Sequence, residues 1–201
     1  MLNDLLSGTV AAIWRLPDGS FCSLGSERSP IAGRDRIGLL PGSFNPLHEG
    51  HRKLRDVAER LAGVLVFFEL SVTNVDKPPL DELEVLRRVK PFVAPVLLTN
   101  APTFFRKIEV IRRGVTFVVG IDTAERIVAQ RYYESPSAMT AALDAFSTHG
   151  CRFIVAGRAA GQSFRTLAEA TIPADYRHLF EPVEESDFRV DVSSTELRSH
   201  K

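Results

Sequence analysis

Ile37-Gly38-Leu39-Leu40-Pro41-Gly42-Ser43-Phe44-Asn45-Pro46-Leu47-His48-Glu49-Gly50-His51 is the stretch from which the rest of the chain is best read. A short apolar run passes through a turn rich in Gly, Asn and Pro. It then enters a pattern in which Leu54, Val57, Ala58 and Leu61 recur on one helical face. Opposite charges four apart, Arg52–Asp56, Arg55–Glu59 and Asp56–Arg60, are expected to support that helix as ion pairs. A strand that turns into a helix in this way makes an anion receptor, because the helix start offers free N–H groups and the positive end of the dipole. Gly42 and Gly50 let the backbone approach a bulky anion, and His48 and His51 each bring a ring N–H to phosphate oxygens.

Further apolar runs follow at Val64–Phe68, Val96–Leu98, Val115–Val119 and Phe153–Ala156. Each is short and nearly continuous in apolar character, as strands buried on both faces are. Helical patterns lie between them. Asp81-Glu82-Leu83-Glu84 reads as a capping box opening a helix to about Val89, and Phe104–Ile111, Asp122–Ala129 and Pro136–Ser147 read as further helices. The alternation predicts an α/β domain over residues 36–201, a doubly wound parallel sheet with helices on both faces. Residues 1–35 read differently, as an N-terminal extension. Thr9–Trp14 and Phe21–Leu24 flank the turn signal Pro17-Asp18-Gly19, which predicts a β-hairpin, and a polar connection runs from Gly25 to Asp35.

Composition narrows the function classes. Twenty-five basic residues balance twenty-five acidic ones, which argues against a protein that tracks nucleic acid or an anionic membrane. Cys22 and Cys151 stand far apart and in no metal-ligand spacing, so reduced, buried thiols are expected. Met1–Leu6 lacks the build of a signal peptide, and no apolar run nears the roughly 20 residues of a membrane span. A cytoplasmic location is the expectation.

In an open parallel sheet, ligands sit beyond the carboxyl ends of the strands. Four polar segments follow apolar runs: Gly42–His51, Ser71–Pro79, Gly120-Ile121-Asp122-Thr123 and Gly157-Arg158. The three-residue spacing of His48 and His51 puts them on one side of a helical turn, where they suit phosphate binding and stabilisation of charge developing in phosphoryl transfer. The same pair also fits a capped helix start. A zinc-protease reading fails because His48-Glu49-Gly50-His51 lacks the four-residue histidine spacing, and no protein metal site is expected.

Gly42–His51 resembles the signature of the HxGH nucleotidyltransferases, in the Phe-Asn/Asp-Pro-x-His form of the nicotinate/nicotinamide mononucleotide adenylyltransferases. Val192-Ser193-Ser194-Thr195-Glu196-Leu197-Arg198 is similar to the element that holds the nucleoside triphosphate in that family. The resemblance covers roughly residues 36–200 and implies a Rossmann-like fold. It implies transfer of a nucleoside monophosphate from ATP or CTP to a small phosphorylated acceptor, with pyrophosphate released and Mg2+ carried with the triphosphate. His48 and His51 would be catalytic. Gly42, Ser43, Phe44, Gly50, Gly120, Asp122, Arg158, Ser193, Ser194, Thr195 and Arg198 would hold the nucleotide. Asn74, Lys77 and Arg87, with Arg88 beside it, would face the acceptor. The loop departs from the family's Pro-Pro-His-Lys, since Lys77 precedes Pro78-Pro79 and Leu80 follows. Phe104 and Phe105 suit either a stacked base or the core, and Trp14 has no assigned role. A cytidylyltransferase, an adenylyltransferase with another acceptor, and a non-catalytic nucleotide-binding module are the alternatives. No nucleic acid or membrane partner is expected, and a homo-oligomer is left open.

Overall fold

The five apolar runs all become strands, and the reason is burial from both sides. The computed structural model describes residues 1–160 and 163–189. In chain order, helix Leu2–Leu6 (α1) precedes strands Ala12–Arg15 (β1), Phe21–Ser23 (β2) and Arg36–Pro41 (β3). Next come Glu49–Ala62 (α2), Val66–Ser71 (β4), Glu82–Val89 (α3), Val96–Thr99 (β5) and Phe104–Ile111 (α4). Gly114–Gly120 (β6), Ile121–Ile127 (α5), Pro136–Thr148 (α6) and Arg152–Ala156 (β7) complete the alternation. The short strands Arg158–Ala160 (β8) and Ser163–Arg165 (β9) form a separate ribbon, and Phe180–Val183 (β10) returns to the main sheet.

The eight-stranded sheet runs β10-β7-β6-β3-β4-β5-β1-β2. From β10 to β5 every neighbouring pair is parallel. Successive side chains of a strand point to opposite faces, so each strand feeds two cores. Leu39 and Phe117 pack on one face with Ile108, Ile121 and Leu143 of α4, α5 and α6. Leu40 and Val118 pack on the other with Leu5, Val57 and Val85 of α1, α2 and α3. This is the expected α/β fold, a Rossmann-like sheet covered by helices on both faces. The chain builds outward from β3 through β4 to β5, then returns to place β6 on the other side of β3. The crevice at that reversal is where such sheets take ligands.

Three sequence expectations are modified. The N-terminal hairpin forms, but it is the antiparallel edge of the same sheet, with Ile13 opposite Leu98 and Trp14 opposite Leu97. Its residues enter both cores: Ala12 and Trp14 join one, Ile13 the other. On α2, Arg55 pairs with its neighbour Asp56 at 2.6 Å. Glu59 instead accepts the N–H of Val66 at 2.9 Å, tying the helix end to the start of β4. The sequence reading has no place for β10, in which Pro182 interrupts the pattern; proline is tolerated there because the strand lies at the sheet edge. Both cysteines are buried and free, and burial pushes both thiols up.

Trp14 is fully buried, with its ring edge against Phe67 at 5.0 Å. Trp14→Ala is therefore expected to cost about 3–5 kcal/mol of stability, read from urea unfolding. A loss below about 1 kcal/mol would mean the hairpin is no part of the core.

Candidate functional site

The turn between β3 and α2 is held by one aromatic ring. Phe44 has a positive φ of 43°, unusual for a residue with a Cβ. Its ring is fully buried and meets Phe68, Phe92 and His51 edge-on, at 5.4, 5.2 and 5.1 Å. A Cβ on Gly42 would come within 2.6 Å of that ring, so the glycine makes room for Phe44. The Gly42 N–H donates to the Glu69 carbonyl at 3.0 Å, which prolongs the strand pairing into the turn. The Asn45–Pro46 peptide is cis.

His48 is the N-cap of α2, in extended backbone. Its N–H donates to His51 Nδ1 at 3.3 Å, and the two rings stack 3.8 Å apart. Burial first, and then the His48 ring, bring the pKa of His51 down to about 4; burial also lowers that of His48. Both imidazoles are thus neutral near pH 7. Because Nδ1 of His51 accepts, the proton of the neutral ring sits on Nε2, which becomes a hydrogen-bond donor. His51 lines the neighbouring cavity, while His48 stacks against it and lies outside the lining. Among the described residues, the buried Nδ1 of His48 has no hydrogen-bond partner.

The cavity, of about 870 Å³, runs along the carboxyl edge of the sheet. It brings together Gly42 and Ser43 after β3, Asn74 and Lys77 after β4, and Gly120 after β6. Gly120 caps α5, and a Cβ there would meet nothing within 4 Å. Phe104 and Phe105 line the wall, and Phe104 also packs edge-on against Phe117 at 5.0 Å.

Several expected residues stand elsewhere. Gly50 is buried inside α2, and Phe44 supports the turn from within the core. Of the paired arginines, Arg88 lines the cavity and donates to the Ser43 carbonyl at 3.1 Å. Arg87 is more exposed and donates to Asn45 Oδ1 at 2.7 Å, outside the lining. Both arginines bind Glu84, whose carboxyl they hold down at about 2, the hydrogen bond from Arg87 contributing most. Asp81 is the N-cap of α3 as expected, but Glu84 is occupied by the arginines. Asp122 pairs with Arg158 and lies 3.7 Å from Arg165. Neither Asp122 nor Arg158 lines the cavity. Ser193, Ser194, Thr195 and Arg198 lie outside the described residues.

The sequence reading passed over four contributors. Tyr132 and Tyr133 line the aromatic wall, the latter fixed by its hydroxyl donating to the Ile127 carbonyl at 2.6 Å. Glu69 and Lys107 form a buried ion pair at 2.9 Å, and both line the cavity. A charge two residues before the end of a buried strand is the signal that would have found it. Among the described residues, no three of His, Cys, Asp and Glu cluster as metal ligands do, and no helix is long and apolar enough to cross a membrane. No protein-family model matches the chain, and no curated protein matches it.

His51 ordinarily titrates at 6.5, whereas the folded protein resists its protonation until about pH 4. The unfolded state therefore binds more protons across that window, and stability falls as pH drops through it. Urea midpoints taken at the two ends should show a smaller fall for His51→Gln than for the wild type. An unchanged fall would remove His51 as its source. Gly42→Ala should cost about 1–3 kcal/mol by crowding Phe44. Gly120→Ala should cost under about 1 kcal/mol, the difference between Gly and Ala at an N-cap. Equal losses in urea unfolding would contradict the assignment of the two glycines.

Proposed function

We propose that the protein is a nucleotidyltransferase, moving a nucleoside monophosphate from a triphosphate to a phosphorylated acceptor with release of pyrophosphate. ATP is the donor favoured by the resemblance, and a pyridine mononucleotide is the favoured acceptor. The observation that carries this reading is the neutral, Nε2-protonated His51 at a helix start, on a cavity at the reversal of strand order.

The chemistry needs no protein nucleophile. An oxygen of the acceptor phosphate attacks the α-phosphorus; that P–O bond forms as the bond to the bridging oxygen breaks, and the electron pair leaves with pyrophosphate. Catalysis of this kind is positioning plus charge stabilisation. His51 donates from Nε2 to a phosphate oxygen as charge spreads, and the stacked His48 fixes the ring's plane. Being neutral, His51 supplies direction rather than charge. Positive charge is at hand from Lys77 and Arg88, both on the cavity wall. Mg2+, when bound, would neutralise part of the triphosphate's charge. With no cluster of acidic ligands among the described residues, it would be held chiefly by phosphate oxygens and water. Ser193, Ser194, Thr195 and Arg198 keep the role the resemblance gives them, at the departing phosphates.

His51→Ala is expected to lower turnover by at least about a hundredfold, the scale of losing one preorganised donor. The assay is pyrophosphate release with ATP or CTP and a panel of phosphorylated acceptors. Near-normal turnover in the variant would refute the role of His51. Triphosphate binding without pyrophosphate release on any acceptor would favour the non-catalytic module instead.

A further inference from the structure

The Glu69–Lys107 pair offers a half-finished set of hydrogen bonds to the cavity. Glu69 ends up fully buried because β4 lies between β3 and β5, with Pro41 and Leu97 opposite it. Its Oε1 accepts from Thr99 Oγ1 and from Lys107 Nζ at 2.9 Å. Its Oε2 is buried and, among the described residues, has no partner. Lys107, also buried, donates a second N–H to the Ala101 carbonyl at 2.7 Å. An ammonium carries three, so one is left over. Both residues line the cavity, so an unmet acceptor and an unmet donor belong to its wall.

A buried carboxylate oxygen without a partner is costly, and a ligand that completes it is favoured for the same reason. From this geometry we infer that Glu69 and Lys107 form a subsite for a neutral amide-type edge, an N–H donor adjacent to a carbonyl or ring-nitrogen acceptor. The ligand N–H donates to Glu69 Oε2, and the ligand acceptor receives the third N–H of Lys107. A ligand carboxylate is rejected there: it brings only acceptors to Oε2, and Glu69 already neutralises the ammonium. The inference rests on the reading of the cavity as a site for a nucleotide and its acceptor. Two ligand parts carry such an edge, the carboxamide of a pyridine mononucleotide and the amino edge of adenine.

Calorimetric binding to the full chain, without turnover, decides the matter. Two probe pairs are compared: nicotinamide against nicotinic acid mononucleotide, and ATP against purine riboside triphosphate, in which a hydrogen replaces the amino donor. At least one pair should differ by about thirtyfold or more, within the range for sites whose buried polar groups are left unpaired by the wrong ligand. The pair that does so identifies the source. In Glu69→Gln/Lys107→Met, which removes both charges together, the difference should fall below about threefold, because the glutamine amide turns either way. A crystal structure of the wild type with the preferred probe needs no variant, and should place the ligand nitrogen about 2.7–3.2 Å from Glu69 Oε2. Equal affinity within both pairs, no binding of any probe, a preference that survives the double substitution, or a ligand nitrogen elsewhere overturns the assignment. Selective binding without pyrophosphate release would sink the transferase and leave the subsite standing. Turnover without selectivity would do the reverse.

Discussion

Everything at the cavity is referred to the position of one buried ring. Phe44 takes a left-handed backbone conformation at the exit of β3 and fills the space between Phe68, Phe92 and His51. Backbone of that kind costs of order 1–3 kcal/mol and persists only where surrounding packing over-determines it. The surrounding packing here is aromatic on three sides. The result is a helix start whose first turn cannot drift, because its N3 residue, His51, is braced by Phe44 on one side and His48 on the other. Gly42 is the sequence's concession to that ring.

Polarity follows the same rule of enforced position. Burial holds both histidines neutral, with the His48 ring adding to the effect at His51, and the His48 N–H fixes where the His51 proton sits. Two basic groups on the cavity wall are ordered by carboxylates: Arg88 by Glu84 and Lys107 by Glu69. Exposed ion pairs contribute little to stability. The two pairs at the cavity are buried or half-buried and orient side chains, whereas the exposed Asp122–Arg158 pair lies off the cavity lining.

The fold was legible because two-sided burial leaves a strong trace. A strand between two helical layers has no polar face, so Val96–Leu98 and Phe153–Ala156 could be read directly. The trace fails where one buried position is polar. The apolar run Val64–Phe68 stops before Glu69, yet β4 continues to Ser71, because Lys107 and Thr99 compensate the charge from elements about 30–40 residues away. Choosing between Arg87 and Arg88 likewise required the orientation of α3, which neighbouring elements set. In β10, Glu181 and Pro182 conceal a strand that pairing with β7 alone establishes.

What the sequence determined by itself is local: the period of its apolar residues, the turn chemistry between β3 and α2, and a histidine pair at a helix start. Those depend on residues close along the chain, so their physics is complete within a short window. The tertiary structure alone decided the joining of the N-terminal hairpin to the main sheet. It likewise set the partnership of Asp122 with Arg158 and the burial of Glu69 with Lys107 on the cavity wall. Each of these is a pairing across the sheet or between layers, and its energy exists only once distant segments have been brought together and water has been removed from between them.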